Sequence, residues 1–126
     1  MSDVRDRYRS YIACLNARDW NRLGAYVADN VRHNGRAFGL PGYRAMLEEN
    51  VQDIPDLHFE IGLLVAESEM VAARLDFDCT PRGEFLGLPV NGRRVQFTEN
   101  VFYRYADGRI AEVWSIVEKQ AIEGQL

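Results

Sequence analysis

A helix near the start of the chain is predicted by an apolar stripe at helical spacing. Polar residues separate the stripe members, and the pattern extends over residues 3–17. Ser2 or Asp3 can cap this helix by accepting hydrogen bonds from the free amides of its first turn. The stripe consists of Val4, Tyr8, Tyr11, Ile12 and Leu15.

Two more helices are predicted before residue 55, with a brief strand between them. A short helix follows Asp19 and buries Trp20, Leu23 and Val27. The strand Val31-Arg32-His33 is stopped by Asn34-Gly35. Pro41 suits the first turn of the next helix, where its missing amide proton costs little. The apolar stripe of that helix is Tyr43, Met46, Leu47, Val51 and Ile54.

After Pro55-Asp56 the periodicity changes from helical to strand-like. Residues 58–66, 69–79, 94–105 and 109–118 each predict a strand. Asp107-Gly108 indicates a tight hairpin between the last two, and Asn91-Gly92 predicts a turn before the third. Helices first and an antiparallel meander last predict one α+β domain over residues 1–126, with helices packed on one face of a curved sheet.

The last predicted strand carries apolar residues on both faces. Strict alternation places Ile110, Glu112, Trp114, Ile116 and Glu118 on one side, and Ala111, Val113, Ser115 and Val117 on the other. A strand of this kind is covered on both sides. We therefore expect helices and a cavity on one side and a second subunit on the other, giving a homodimer. Trp114 and Ile116 are expected to pack inside, with Trp114 bordering the cavity.

Composition and charge narrow the class of protein. The chain is 47% hydrophobic and 27% charged, with a net charge of −4 and both signs mixed along its length. No basic run predicts a nucleic-acid surface, and no apolar run approaches the roughly 20 residues of a membrane span. The N-terminus lacks an apolar signal-peptide segment. Cys14 and Cys79 are far apart and predict free, buried thiols in a reducing cytoplasm, with a disulfide between them as the alternative.

A few polar residues on apolar faces are candidates for chemistry. Glu99 shares its strand face with Phe97 and Val101, and burial of a carboxylate raises its pKa toward neutrality. Glu118 is a second such carboxylate; the alternative is that it is solvated, since it lies beside Lys119 where the strand ends. His33 could act as acid, base or donor, or serve as a hydrogen-bonded structural residue. Asn50 falls inside a helical stripe, where its amide bonds to a neighbouring backbone or contacts a ligand.

The sequence carries no motif for a cofactor or a catalytic metal. It has no Gly-rich phosphate loop, no G-x-S-x-G turn and no H-E-x-x-H helix. Two histidines and two scattered cysteines do not form a transition-metal pattern. We therefore expect no cofactor and no metal.

The chain resembles the SnoaL-like polyketide cyclases, members of the superfamily of nuclear transport factor two, scytalone dehydratase and ketosteroid isomerase. The resemblance covers nearly the whole chain. It is carried by His33-Asn34-Gly35, Gly42-Tyr43, the segments 55–60 and 71–74, the stretch 83–93 (GEFLGLPVNGR), the stretch 107–114 (DGRIAEVW) and Gln125-Leu126. It implies a cone-shaped antiparallel sheet wrapped by three N-terminal helices around an internal pocket, the nuclear transport factor two-like or cystatin-like fold.

The same resemblance implies cofactor-free intramolecular aldol closure of a polyketide ester, in which a carboxylate removes a proton α to a carbonyl. The family usually places an aspartate four residues after the tryptophan, and Glu118 stands there. It commonly has a histidine two residues before the glycine of the G-x-F stretch, and Pro81 stands there.

The sequence therefore predicts an acid/base enzyme, a cyclase, isomerase or lyase, acting on a small hydrophobic carbonyl compound. In this prediction Glu118 is the acid/base and His33 an auxiliary donor. Trp114 shapes the pocket, and Tyr103, Asn50 and Glu99 contact the substrate. The alternative is a non-catalytic domain of the same fold that binds a small ligand or serves dimerisation.

Overall fold

The computed structural model describes residues 3–126 of the chain. Two α-helices and one 3-10 helix precede the long strands, where three helices are predicted. A further short helix, absent from the sequence prediction, follows the last strand. The helices are α1 (Val4–Asn16), the 3-10 helix Trp20–Ala25, α2 (Gly39–Asp53) and α3 (Lys119–Glu123).

Five strands form one curved, unclosed sheet in the order β1-β7-β6-β3-β2. The edge strand β1 runs parallel to β7, and the remaining neighbours are antiparallel. A two-stranded hairpin, β4 with β5, lies outside this sheet. The strands are β1 (Val27–His33), β2 (Glu60–Glu67), β3 (Met70–Cys79), β4 (Glu84–Phe85), β5 (Leu88–Pro89), β6 (Val95–Ala106) and β7 (Arg109–Val117). The predicted α+β fold is confirmed.

The predicted cap and turns are present where the structure describes them. The Asp3 side chain accepts a 3.1 Å hydrogen bond from the Arg5 amide and begins α1. Ser2, the other predicted cap, lies outside the described residues. Asp107 and Gly108 both have positive φ, 53° and 78°, as a tight hairpin between β6 and β7 requires.

The helices pack on the concave face of the sheet and enclose the core. The inner face of β6 shows strict alternation, with Val95, Phe97, Val101, Tyr103 and Tyr105 all buried. Cys14 and Cys79 are buried free thiols, as predicted.

A β-bulge in β7 overturns the predicted orientation of that strand. Arg104 of β6 faces Glu112, whereas the next residue, Tyr105, faces Ile110, so Ala111 is an extra residue on β7. One extra residue shifts the alternation by one position, and every side chain beyond it changes face. The prediction that Trp114 and Ile116 pack inside is therefore wrong. Their side chains remain 41% and 73% exposed.

The outer face of the sheet carries a row of apolar side chains. Val65, Ala72, Phe102 and Trp114 are cross-strand neighbours on four adjacent strands. Val65, Phe102 and Trp114 are 64%, 56% and 41% exposed. A contiguous exposed apolar surface of this kind is typical of a protein interaction site. Within residues 3–126, no helix is both long enough and apolar enough to cross a membrane.

We predict that this outer face forms the interface of a homodimer. Ile116→Glu would place a carboxylate in the apolar surface, and we expect it to shift the protein to a monomer because that charge would lose its water on association. Light scattering at micromolar concentration measures the change. Ala45→Glu, at an exposed position on α2, is the matched control and should leave the mass unchanged. A monomeric wild-type protein would contradict the prediction.

Candidate active site

The concave face of the sheet and the helices enclose a cavity of about 520 Å³. Its walls are mostly apolar. Phe77 and Phe97, cross-strand neighbours on β3 and β6, stack at 5.1 Å between ring centroids and line it. Asn34, Leu86 and Lys119 also line it and are exposed, so they mark where the cavity meets solvent. A space of this size and composition suits a small apolar ligand.

Glu99 is the one carboxylate that lines this cavity among the described residues. It lies on the inner face of β6 between Phe97 and Val101, both buried. Burial raises the pKa of the Glu99 carboxyl above its ordinary value, and the hydrogen bond from Ser115 opposes part of that rise. An acid whose pKa is moved toward neutrality is suited to proton transfer.

Ser115 is the hydrogen-bond partner of Glu99. Its Oγ donates to Oε2 of Glu99 across the β6–β7 ladder. The bulge at Ala111 turns Ser115 to the cavity side. Ser115 thus holds the carboxyl group in one orientation.

Asn34 fixes the backbone of Ser115. Its Oδ1 accepts from the Ser115 amide at 2.8 Å, and its Nδ2 donates to the Ser115 carbonyl at 3.2 Å. Asn34 has a φ of 48° and Gly35 a φ of 81°, so the chain turns sharply where β1 ends. The Asn-Gly pair that stops β1 therefore also positions the partner of Glu99.

Four tyrosines form two hydrogen-bonded pairs beside the cavity. Tyr8 Oη donates to Tyr103 Oη at 3.1 Å, and the hydroxyls of Tyr11 and Tyr43 lie 2.7 Å apart. Each pair uses one hydroxyl proton, so each has one proton left to donate. Tyr11, Tyr43 and Tyr103 line the cavity, and burial raises the pKa of all three. The cluster can offer neutral O–H donors to a ligand oxygen.

His33 lines the cavity at the end of β1. Its ring stacks on Phe38 with 5.6 Å between centroids and an interplanar angle of 9°. Burial lowers the pKa of His33, and Arg36 lowers it further. At neutral pH the ring is therefore uncharged, with one nitrogen that donates and one that accepts.

The structure brings four of the six predicted site residues to one cavity. His33, Asn50, Glu99 and Tyr103 line it, whereas Trp114 and Glu118 do not. Trp114 lies on the outer face beyond the bulge. The expectation that these two residues line the cavity is corrected by the structure. The chemical roles of the predicted site residues remain predictions.

Glu118 points away from the cavity. It follows β7 and is exposed, and its Oε2 accepts a 2.8 Å hydrogen bond from Thr98 Oγ1. It lines a separate depression with Glu60, Asp76 and Asp78. The bulge at Ala111 explains why Glu118 faces outward, because it moves the even-numbered positions that follow it to the outer face.

Sequence reasoning did not identify Tyr11, Tyr43, Ser115 or Lys119 as cavity residues. Ser115 carried a usable signal, since it is the polar member of an otherwise apolar strand face with Val113 and Val117. Lys119 carried another, because it is the one lysine in the sequence. The tyrosines fit a helical core stripe equally well, so their hydroxyls could not be assigned.

No metal-type cluster occurs within residues 3–126, since no three His, Cys, Asp or Glu side chains converge there in a suitable arrangement. The polar groups of the cavity are instead one carboxyl, hydroxyls, an imidazole, amides and, at its mouth, the Lys119 ammonium. Such groups can donate, accept and transfer protons. The fold and cavity together define a nuclear transport factor two-like domain with an internal cavity.

Comparison with known proteins identifies the family. Residues 5–126 match the family model of the SnoaL-like polyketide cyclases, so the chain belongs to that family. A comparison with curated protein sequences finds no match.

Solved structures agree with this assignment. A SnoaL-like polyketide cyclase from Agrobacterium tumefaciens is 53% identical, with 99% of this chain and 98% of that one covered and a TM-score of 0.98. TsrD from Streptomyces laurentii is 25% identical, with coverage of 99% and 97% and a TM-score of 0.85. IdmH from Streptomyces antibioticus, a candidate polyketide cyclase, is 22% identical over 98% of each chain with a TM-score of 0.85, and it shares the fold.

Because the pKa of Glu99 is raised, we predict that the wild-type protein loses stability relative to Glu99→Gln as pH rises. The folded state holds the Glu99 proton more tightly than the unfolded state, so the free energy of unfolding falls as pH rises above the ordinary value of 4.5 toward the raised value. Glu99→Gln removes this titration. Relative to that variant, the wild-type protein should lose stability across this window, as measured by denaturant unfolding from pH 4 to 8.

Subtracting the variant cancels the opposite effect of His33, whose lowered pKa costs stability as pH falls below 6.5. A constant difference between wild type and Glu99→Gln at every pH would show that Glu99 titrates as it does in water.

Proposed function

We propose that this protein is a cofactor-free enzyme that performs acid/base chemistry on a small hydrophobic carbonyl compound. The observation that carries the proposal is the Glu99 carboxyl in a mostly apolar cavity, held by Ser115 and facing unused hydroxyl donors. Family membership favours one reaction of this type, the intramolecular aldol closure of a polyketide ester. The proposal transfers the acid/base role from Glu118 to Glu99.

In the proposed reaction, the Glu99 carboxylate removes a proton from the carbon α to a carbonyl. The electron pair of that C–H bond moves to the carbonyl oxygen and forms an enolate. The enolate carbon then attacks a second carbonyl of the same molecule, forming a C–C bond and an alkoxide. Glu99, now protonated, returns the proton to the alkoxide, so the carboxylate is regenerated. A raised pKa makes Glu99 a stronger base for the first step.

Tyr103 and His33 stabilise the oxygen atoms in this proposal. The free O–H of Tyr103 donates to the enolate oxygen, where its contribution grows as negative charge develops. His33 is uncharged at neutral pH, and its N–H donates to the second carbonyl. Asn50 contributes a further amide to the cavity wall. These groups need no metal ion to perform the steps described.

The alternative is a domain of the same fold that binds a small apolar ligand without turning it over. One specific observation favours it: neither position expected from the family resemblance presents a proton-transfer group to the cavity. Glu118 faces outward, and Pro81 has no ionisable side chain. The two functions share the cavity and differ in whether Glu99 exchanges protons with a ligand.

Hydrogen–deuterium exchange at the α carbon of 2-tetralone tests the proposal without knowledge of the natural substrate. The wild-type protein should accelerate this exchange in D₂O, as followed by NMR. Glu99→Gln keeps the shape and removes the base, so the rate should fall by about 10²–10⁴-fold while 2-tetralone binding persists. Activity should also rise with pH through the raised pKa of Glu99, because the ionised form is the base.

Glu118→Gln is the matched control, since it makes the same change outside the cavity. It should leave the exchange rate within about twofold of wild type. If the wild-type protein binds 2-tetralone and does not accelerate exchange, the binding-domain alternative is correct. If Glu118→Gln loses activity and Glu99→Gln keeps it, the assignment of the base is wrong.

A further inference from the structure

Lys119 has a distinctive place in the chain. Fifteen residues are Lys or Arg, and Lys119 is the one lysine among them. It is also the one Lys or Arg that lines the cavity within residues 3–126. Lys119 begins α3, two residues after Val117, which itself lines the cavity and faces Glu99 across the ladder.

The Lys119 ammonium has no protein partner in the part of the chain that the structure describes. Hydrogen bonds and ion pairs among residues 3–126 do not include it. The neighbouring Glu118 carboxylate is instead bonded to Thr98. Arg44 and Arg94, by contrast, pair with carboxylates at 3.0 and 2.6 Å. Lys119 is therefore free to bind an anionic group at the mouth of the cavity.

Lys119 is the group that would distinguish an anionic ligand from a neutral one at this cavity. The chain has a net charge of −4, so its overall field repels anions. His33 is uncharged at neutral pH because burial lowers its pKa, and burial favours the protonated form of Glu99. Lys119 thus supplies the positive charge of the cavity, at its solvent end.

We propose that the cavity binds a ligand whose apolar, carbonyl-bearing body lies against Glu99 and Ser115 and whose carboxylate binds the Lys119 ammonium. This inference rests on the proposed function for the orientation of the carbonyl, and it adds the substrate class: a carboxylate-bearing hydrophobic carbonyl compound. Lys119 acts as a specificity-determining residue that orients the ligand.

The chain limits the distance between Ser115 and Lys119. Three residues lie between them, so four Cα-to-Cα steps place their Cα atoms at most about 14 Å apart. A bicyclic aromatic acid is short enough to fit this span. The point charge of a lysine also suits a single carboxylate and imposes no planar geometry on it.

The test compares 2-naphthoate with 2-naphthamide, two probes of nearly equal shape that differ in charge. Isothermal titration calorimetry at low ionic strength gives both affinities, and competition between the probes shows that they share one site. The wild-type protein should bind 2-naphthoate about two- to fivefold more tightly, the range of an exposed ion pair. This preference should shrink in 0.5 M salt, because salt screens exposed charges.

Three variants assign the preference to Lys119. Lys119→Gln should remove it with the affinity for 2-naphthamide unchanged, and Lys119→Arg should retain it. Arg22→Gln removes the same charge at an exposed position outside the cavity and should leave the preference at its wild-type value.

The outcomes separate this inference from the proposed function. Equal affinities for the two probes, or a preference that survives in Lys119→Gln, would overturn the inference, and 2-tetralone exchange would still support the enzyme. Failure of the wild-type protein to bind either probe or 2-tetralone would overturn both. Loss of the preference in Arg22→Gln as well would show that net charge, and not Lys119, determines it.

Discussion

The extra residue at Ala111 determines which side of the last strand faces the cavity. Before the bulge, Ile110 packs inward opposite Tyr105, and after it Val113, Ser115 and Val117 face inward. A regular strand would have turned Trp114 into the cavity and Ser115 out of it. Glu99 would then have lost its hydrogen-bond partner. The bulge therefore sets both the shape of the cavity and the environment of its carboxyl group.

A carboxyl group in that cavity lowers the free energy of unfolding, and the hydrogen bonds around it reduce this loss. An unpartnered buried polar group is destabilising, whereas Ser115 satisfies Glu99 and Asn34 fixes Ser115. The two amide bonds of Asn34 reach from the end of β1 to the adjacent strand β7. The edge strand thus supports the site through its terminal turn as well as through the parallel ladder. Orientation of Glu99 on β6 therefore depends on Ser115 of β7 and, through it, on Asn34 in the turn that follows β1.

The sequence was sufficient for the elements whose periodicity is regular. The stripe of α1, the alternation of β6 and the Asp107-Gly108 turn all appear where they were predicted. The bulge was not predictable, because Ala111 carries neither the glycine nor the proline that commonly marks an irregular strand. A prediction from strict alternation therefore assigned every β7 residue after Ala111 to the wrong face. That error put Trp114 on the cavity side and hid Ser115, and together with the family resemblance it put Glu118 there too, whereas Glu99, on a regular strand, lines the cavity.

The chemistry of a carboxylate on this fold depends on the surroundings in which the fold places it. Glu118 is exposed at a strand end and accepts a hydrogen bond from Thr98. Glu99 lies mid-strand among apolar side chains, where the charged form is penalised and the proton is held more tightly. A base at position 99 and a base at position 118 are compatible with the same fold, but they transfer protons in different electrostatic environments. In the proposed function, the family's cavity is thus kept while its acid/base group comes from the neighbouring strand, β6.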